Sequence, residues 1–411
     1  MTNSETKNFS QNVSSSYHLE DRGKCNKNAC ANARNVPKLR FKGYNYEWKK
    51  VKLKDICIDF IVPMRDKPKE FNGNIPWCRI EDIEGNYFNG TKSNQYVSQE
   101  TIDKMNLKII PTGSVICSCS ASLGTYAINT CPIITNQTFI GLVCSEKISN
   151  HFLLNLMNTQ TRKLKIIAGG TTIPYISREK FEEYNIKIPS LPEQEKIASF
   201  LTLIDKKIEK QKELVELLKK YKRGLLSAIF SQKLRFKDDN GNNYPAWEEK
   251  RLENILKIKH GKSQKEIECN NGKYPILATG GEIGKTNSYL WDKPCVLIGR
   301  KGTIDKPQYM DTPFWTVDTL FYSEVFKENN AKYLYYLFNT INWKKYDEST
   351  GVPSLSAKTI ERIKVTLSIN YSEQLAISKI LSKFDDKIQQ EEFILEKLQN
   401  YKKGLLQQMF I

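Results

Sequence analysis

Apolar positions in this chain follow two patterns, and the longer pattern occurs twice. Between residues 192 and 231, Ile197, Leu201, Ile204, Ile208, Gln211, Val215, Leu218, Lys222, Leu225 and Ile229 succeed one another at alternating spacings of four and three. Segment 372–411 repeats this as Ile377, Leu381, Phe384, Ile388, Glu391, Leu395, Leu398, Lys402, Leu405 and Met409, at a constant offset of 180 residues and without a gap. Alternating four and three is the a/d seam of a heptad, a stripe so narrow that only another helix covers it. Each segment is therefore expected to be one helix, roughly 60 Å long at about 1.5 Å per residue. The simplest partner for one copy is the other, running antiparallel. Polar residues interrupt both seams at the same two places, Gln211/Glu391 and Lys222/Lys402, and polar seam residues fix register and partner at a cost in stability. A coiled coil that serves oligomerisation alone is the plainer reading of the same pattern.

The second pattern is short and β-rich. Residues 114–120, Phe139 to Cys144 and Cys295 to Gly299 are apolar runs bounded by Gly and Pro, expected as strands. Phe152 to Ile166 and Ala331 to Tyr346 have helical periods. The turn Gly170 to Ser177 matches Thr350 to Ser356; each precedes a short helix (178–183; 357–362) and a strand (184–188; 363–367). The lead-ins match as well, Leu39-Arg40-Phe41 with Trp48 against Leu234-Arg235-Phe236 with Trp247. Residues 1–36 are rich in Asn, Ser and Lys, lack either period, and are expected to be a loosely ordered leader. The expected order is leader 1–36, globular unit 37–190, long helix 191–231, globular unit 232–371 and long helix 372–411. The fold class is α+β: two globular α/β domains separated by two long antiparallel coiled-coil helices, with a pseudo-twofold internal repeat. Between their shared ends the two globular units differ widely in residues, as two readers of different targets would.

Charge narrows the choice of partner. Sixty-three Lys and Arg against forty-six Asp and Glu leave a formal charge of +17, which favours a polyanion through counterion release. Nucleic acid leads. An anionic membrane is the alternative, yet no stretch approaches the eighteen or so apolar residues of a spanning helix and no apolar signal region follows the start. A cytoplasmic protein is expected. Ten cysteines scattered through a long chain read as reduced core thiols rather than disulfides. Cys25 and Cys30 have His18 nearby, but no second pair supplies the other ligands of a closed zinc site.

No catalytic arrangement emerges. The chain has neither an Asn/Asp-Pro-Pro-aromatic motif nor a Gly-x-Gly-x-x-Gly opening a helix. Gly280 to Thr286 imitates a phosphate loop with one residue too few between Gly280 and Gly284. His18, His151 and His260 are the three histidines, none near a Ser or Cys partner in sequence. Asp347-Glu348 and Glu361 with Lys364 read more simply as solvated faces than as a metal-dependent nuclease. On the long segments, Lys206, Lys207, Lys219, Lys220 and Arg223 alternate with Glu209, Glu213 and Glu216, a solvated or protein-facing surface rather than a groove for DNA.

From about residue 37 onward the chain resembles the specificity subunit of type I restriction-modification enzymes. The marks are the Pro192-Glu-Gln and Ser372-Glu-Gln helix starts, Tyr-Lys-x-Gly-Leu-Leu at 221–226 and 401–406, and the Leu-Arg-Phe…Trp lead-ins. In the second unit Tyr274 to Gly281, Ile298 to Gly302 and Phe314 to Tyr322 look like one version of the family's target-recognition domain. In the first, Trp77 to Ile83 and Thr135 to Gln137 look like another. Ser372 departs from the helix-start proline. The resemblance implies a non-catalytic subunit whose two domains each read half of a bipartite, asymmetric site in double-stranded DNA. It implies long helices that space the domains and dock two modification (methyltransferase) subunits, with restriction (motor and nuclease) subunits joining them. S-adenosylmethionine, ATP and Mg are then expected on those partners and no cofactor or metal on this chain. A basic two-domain scaffold for protein or RNA partners is the alternative.

Base reading needs Arg or Lys for guanine, Asn or Gln for adenine, and Ser or Thr for either. The candidates in the first unit are Arg79, Ser118, Ser120, Ser122, Thr125, Asn136, Gln137, Thr171, Thr172 and Tyr175. In the second they are Thr279, Arg300, Lys301, Thr303, Lys306, Asp318, Thr319 and Ser354. Turn capping is the plainer role for each. Arg300-Lys301, a cationic pair ending an apolar run, is hardest to explain as core, with base and phosphate contact both open.

Overall fold

A computed structural model of the chain describes residues 19–21, 35–120, 122–169 and 174–411. Most of the expected leader, with His18, Cys25 and Cys30, lies outside the described residues, as do Thr171 and Thr172. The chain divides into two compact units, one holding the chain up to Glu213 together with Glu392–Ile411, the other Leu214–Glu391. Each unit thus takes part of each long helix.

In unit 1 a six-stranded sheet runs in the order Cys57–Ile61, Phe139–Cys144, Val115–Ser118, Tyr126–Asn129, Tyr87–Phe88, Ile83–Glu84. Every residue of Val115–Ser118 and Tyr126–Asn129 is buried, because the helix Asn150–Ile167 adds its apolar side to one face and a second cluster around Phe88, Ile116 and Phe139 fills the other. Strands covered on both faces read as continuous apolar runs, not as alternation. A smaller sheet sets Ile75–Cys78 between Ile134–Thr135 and Tyr96–Val97. The strand Leu39–Phe41 pairs antiparallel with Leu19–Asp21.

Unit 2 repeats the scaffold in shorter form. Its four-stranded sheet runs Leu256–Lys259, Leu320–Val325, Cys295–Gly299, Gln308–Met310, and its small sheet sets Tyr274–Ala278 between Gly281–Thr286 and Trp315–Thr316. The glycine-rich segment 280–286 is therefore part of a β-hairpin, not a phosphate loop. The helix expected over 331–346 is two pieces, an α-helix Ala331–Phe338 and a 3-10 turn Trp343–Tyr346. Asn339 ends the first by donating its amide to the Tyr335 carbonyl at 2.7 Å, the side-chain competition that makes Asn a helix terminator. The Trp343 indole then donates back to the Phe338 carbonyl at 2.9 Å.

The long helices span Leu191–Phe230 and Tyr371–Met409, within two residues of the expected ends. No seam position is exposed. In unit 1, Ile197, Leu201, Ile204 and Ile208 share a core with Leu398, Leu405 and Met409, and Lys402 pairs with Asp205 at 2.5 Å. In unit 2, Ile229 shares a core with Ile377 and Leu381, and Lys222 pairs with Asp385. The start of one helix meets the end of the other in both units, so they run antiparallel. Because Lys222 and Lys402 are repeat equivalents, and Asp205 and Asp385 likewise, the two ion pairs are one contact made in both directions, as an isologous interface requires. Each carboxylate has a second donor from its own unit: Asn86 Nδ2 at 2.8 Å to Asp205 and Tyr336 Oη at 2.5 Å to Asp385.

The Glu-Gln pair at each helix start fastens helix to domain. Glu193 receives the Arg40 guanidinium through two bonds of 2.7 Å, with both side chains at most 2 % exposed. Its counterpart Glu373 receives Arg235 Nε at 2.9 Å, Trp247 Nε1 at 3.0 Å and Ser368 Oγ at 2.6 Å. Gln194 donates to the Pro189 and Lys147 carbonyls and accepts from Ser149 N; Gln374 does the same with Ser368 O, Asn329 Oδ1 and Asn330 N. The repeated lead-in arginine and the repeated helix start are therefore two sides of one clamp.

Candidate nucleic-acid interface

Three turns of unit 1, distant in sequence, meet at one edge of its large sheet. The turn after Val115–Ser118 carries Ser120, Ser122 and Thr125, the turn before Phe139–Cys144 carries Asn136 and Gln137, and a third segment carries Tyr175. Backbone bonds lock them: Cys119 N donates to Thr138 O at 2.8 Å, Ile176 N donates to Cys119 O at 2.9 Å, and Ser120 bridges Tyr175. Arg79 joins them because Cys78 and Thr135 are partners in a parallel pair, which sets Arg79 beside Asn136.

The same lock recurs in unit 2. Arg300 N donates to Thr319 O at 2.8 Å, Leu355 N donates to Arg300 O at 2.9 Å, and Lys301 bridges Ser354. The Gly302 N–H adds a bond of 2.8 Å to Pro353 O; its φ of +87° is the left-handed conformation that glycine adopts without strain. Position for position, Cys119 corresponds to Arg300, Ser120 to Lys301, Gln137 to Asp318, Thr138 to Thr319 and Tyr175 to Ser354. The backbone is matched while the side chains are not. Thr279 closes the hairpin beside this turn, within van der Waals reach of where side chains on Gly299 and Gly302 would start.

Side-chain environments sort the candidates. Gln137, Ser122, Tyr175, Lys301, Lys306 and Asp318 are exposed, while Ser120, Thr125, Asn136, Thr279, Arg300, Thr303, Thr319 and Ser354 are half-buried. Ser118 is 2 % exposed and donates its hydroxyl to the Ser120 carbonyl at 2.9 Å, so it is removed from the candidate surface: its place on the strand turns it into the core. Asn136 Oδ1 accepts from the Thr138 hydroxyl at 2.6 Å, an internal turn bond that leaves the Asn136 amide N–H groups as donors. Arg79 is held by Gln95 and lies 3.5 Å from Glu81. Arg300 pairs with Asp318 through Nη1. Among the described residues no bond ties Lys306 to the three turns; it stands on the loop before Gln308–Met310.

Two cations at these edges were passed over in the sequence. Lys262 donates its N–H to Thr316 O at 2.8 Å and accepts the Trp315 indole at 2.9 Å, beside the Asp318 turn. Its signal is the preceding Gly261, where a Cβ would fall 2.1 Å from the Val317 carbonyl. Lys180 reaches back to the Ile167 carbonyl at 2.8 Å, just behind Ser177, whose hydroxyl caps the short helix.

The described cysteines are free thiols. Burial pushes Cys78, Cys144 and Cys295 up to about 12 and Cys119 up to about 11, and also raises Cys57 and Cys117; these are protonated packing groups rather than nucleophiles. Burial likewise lowers His151. Among the described residues no three His, Cys, Asp or Glu come together as a metal-holding group, and no helix is long and apolar enough to cross a membrane.

Residues 45–219 and 245–400 match the family described as type I restriction modification DNA specificity domain. The chain belongs to that family. Its specificity domain is present twice, one copy over each globular half. Among relatives in the family, the MjaIX specificity subunit of Methanocaldococcus jannaschii is 29 % identical over 246 residues, a match that spans 56 % of this chain and 57 % of that protein. The EcoprrI specificity subunit of Escherichia coli is 25 % identical over 346 residues, 77 % of this chain and 82 % of the other. The fold of this specificity-family chain is that of the type I restriction-modification S subunit from M. genitalium, with a TM-score of 0.63 at 21 % identity over 92 % of this chain and 99 % of that one. A chain from a type I system studied for complex assembly and conformational transition superposes at a TM-score of 0.54 and 15 % identity, over 88 % and 97 %.

Proposed function

We propose that the chain is the non-catalytic, DNA-sequence-reading subunit of a type I restriction-modification complex. Each globular half reads one part of a bipartite, asymmetric duplex site through its three locked turns. The observation that carries this reading is the pair of matched backbone locks bearing unlike side chains, Ser120, Gln137 and Tyr175 against Lys301, Asp318 and Ser354. One scaffold presenting two sets of polar groups suits two different short sequences, and the charge of +17 suits the phosphate backbone on either side. The paired helices act as spacer and as docking surface for two modification subunits; Leu203, Leu217 and Tyr221 remain exposed on the first helix. S-adenosylmethionine, ATP and Mg belong to the modification and restriction subunits on this reading.

The test is adenine methylation mapped in duplex DNA after incubation with the modification subunits, with and without this chain. A single split motif, methylated only when the chain is present, is expected. Methylation independent of the chain, or binding that is indifferent to sequence, would falsify the proposal; partner binding that survives nuclease treatment with no methylation would instead favour a scaffold.

A further inference from the structure

We propose that the adjacent cations Arg300 and Lys301 do different jobs. Arg300, positioned by Asp318, reads a guanine in the half-site of unit 2, and Lys301 takes a neighbouring phosphate. This rests on the DNA-specificity reading above and goes beyond it by naming a base and its reader.

The Arg300 backbone is fixed on both sides, its N–H by Thr319 and its carbonyl by Leu355. Its guanidinium is held at one corner: Nη1 donates to the Asp318 carboxylate and lies 3.4 Å from the Asp318 carbonyl. No other bond engages the group among the described residues, so Nε and Nη2 remain as a fork of parallel donors. Such a fork matches the O6 and N7 acceptors of guanine.

The carboxylate also decides against a phosphate at the same fork. Asp318 is 68 % exposed and Arg300 31 %, so a phosphate bound there would approach a solvent-facing anion. The edge of guanine offers neutral acceptors and avoids that repulsion. Lys301 is the opposite case. It is exposed, its backbone is pinned to Ser354, and its ammonium has no anionic partner among the described residues. A compact charge on a flexible stem, free of a counterion, suits phosphate. In unit 1 the two positions are Cys119 and Ser120, so this device serves one half-site and the other half is an internal control.

The experiment selects bound sequences from a randomised duplex pool with the full chain and its modification subunits. The wild type is expected to enrich a guanine in one half of the motif. Arg300→Lys, which keeps the charge and loses the fork, should reduce that preference by roughly tenfold or more and leave the other half-motif unchanged. Asp318→Asn should weaken the same preference and Asp318→Glu restore it in part, a rescue that a purely structural role would not give. Lys301→Ala should keep the motif and lower the salt dependence by about one ion. The proposal is overturned if Arg300→Lys retains the full motif, or if Arg300→Ala changes the salt slope alone. A variant misfolded in unit 2 is separated from a lost base contact by its thermal melt, which Arg300→Lys is expected to leave unchanged. Failure of the wild type to enrich any split motif defeats the underlying reading itself.

Discussion

Asp347 makes no ion pair among the described residues, yet its carboxylate organises a turn. Oδ1 accepts from Ser354 N at 2.9 Å, Ser349 N at 3.0 Å and Ser349 Oγ at 2.8 Å. The backbone N–H groups of Ser354 and then Ser349 hold this carboxyl below the usual aspartate range. A group depressed in the folded state contributes stability above its unfolded value, about 3.9, and loses it as pH falls through the lower folded value. Order in 347–354 is therefore expected to persist through neutral and mildly acidic pH and to fail in strong acid. The carboxyl carbon shift of Asp347, followed by NMR, should titrate below that of an exposed aspartate; a midpoint at the ordinary value would remove the carboxylate from this role. Since Ser354 bridges Lys301, Asp347→Ala at neutral pH should weaken binding at the unit 2 half-site. This scale was least legible in the sequence. Ser118 and Ser120 are two residues apart and both polar, but the strand turns one into the core and the turn brings the other to the edge. The ion pair between Arg300 and Asp318 joins turns eighteen residues apart, a pairing that only the fold decides.

At the level of elements, the seam was the most legible feature, because a 4/3 spacing sustained through forty residues has few physical meanings. The register was legible in part. Lys222 and Lys402 stand out as cations inside an apolar stripe, while their partners Asp385 and Asp205, though repeated at the same offset, sit off the seam, where nothing in the sequence pairs them with those lysines. Lys222→Asp would oppose two carboxylates. With the pair 20 % and 37 % exposed, screening limits the direct coupling to about 1 kcal/mol. Adding Asp385→Lys should recover part of the loss in a thermal melt, the remainder reflecting the bond from Tyr336 to Asp385. Additive losses in the double variant would mean that the pair does not couple. Strands were legible as buried runs but not in their order, since a run buried on both faces carries no signal of its neighbours. The helix expected through residue 346 overran its end because Tyr335, Tyr336, Phe338 and Trp343 keep a helical spacing across a break set by one asparagine amide.

For the whole molecule, the duplication and the positive charge were plain in the sequence, and the backbone locks that make the two edges comparable were not, being built from main-chain bonds that no residue type announces. The seam prediction belongs here. Leu201 and Leu381 are fully buried, and an aspartate at either place must lose its hydration without a partner. Leu201→Asp with Leu381→Asp should abolish recognition of the split site while the modification subunit, assayed by itself, is unaffected. Footprinting that shows undiminished affinity would mean that helix pairing is not needed for bipartite binding.

The aromatic cluster that closes unit 1 has a consequence for how the chain is made. Phe410 packs on Trp48 and Phe152, with ring centroids 6.0 and 5.3 Å apart, whereas Leu214–Glu391 forms the other unit as one uninterrupted stretch. During vectorial synthesis unit 2 is made in one piece, whereas the core of unit 1 keeps an apolar face uncovered until Leu398, Leu405, Met409 and Phe410 have been made. Over that interval the uncovered face leaves a nascent chain open to chaperones and proteases.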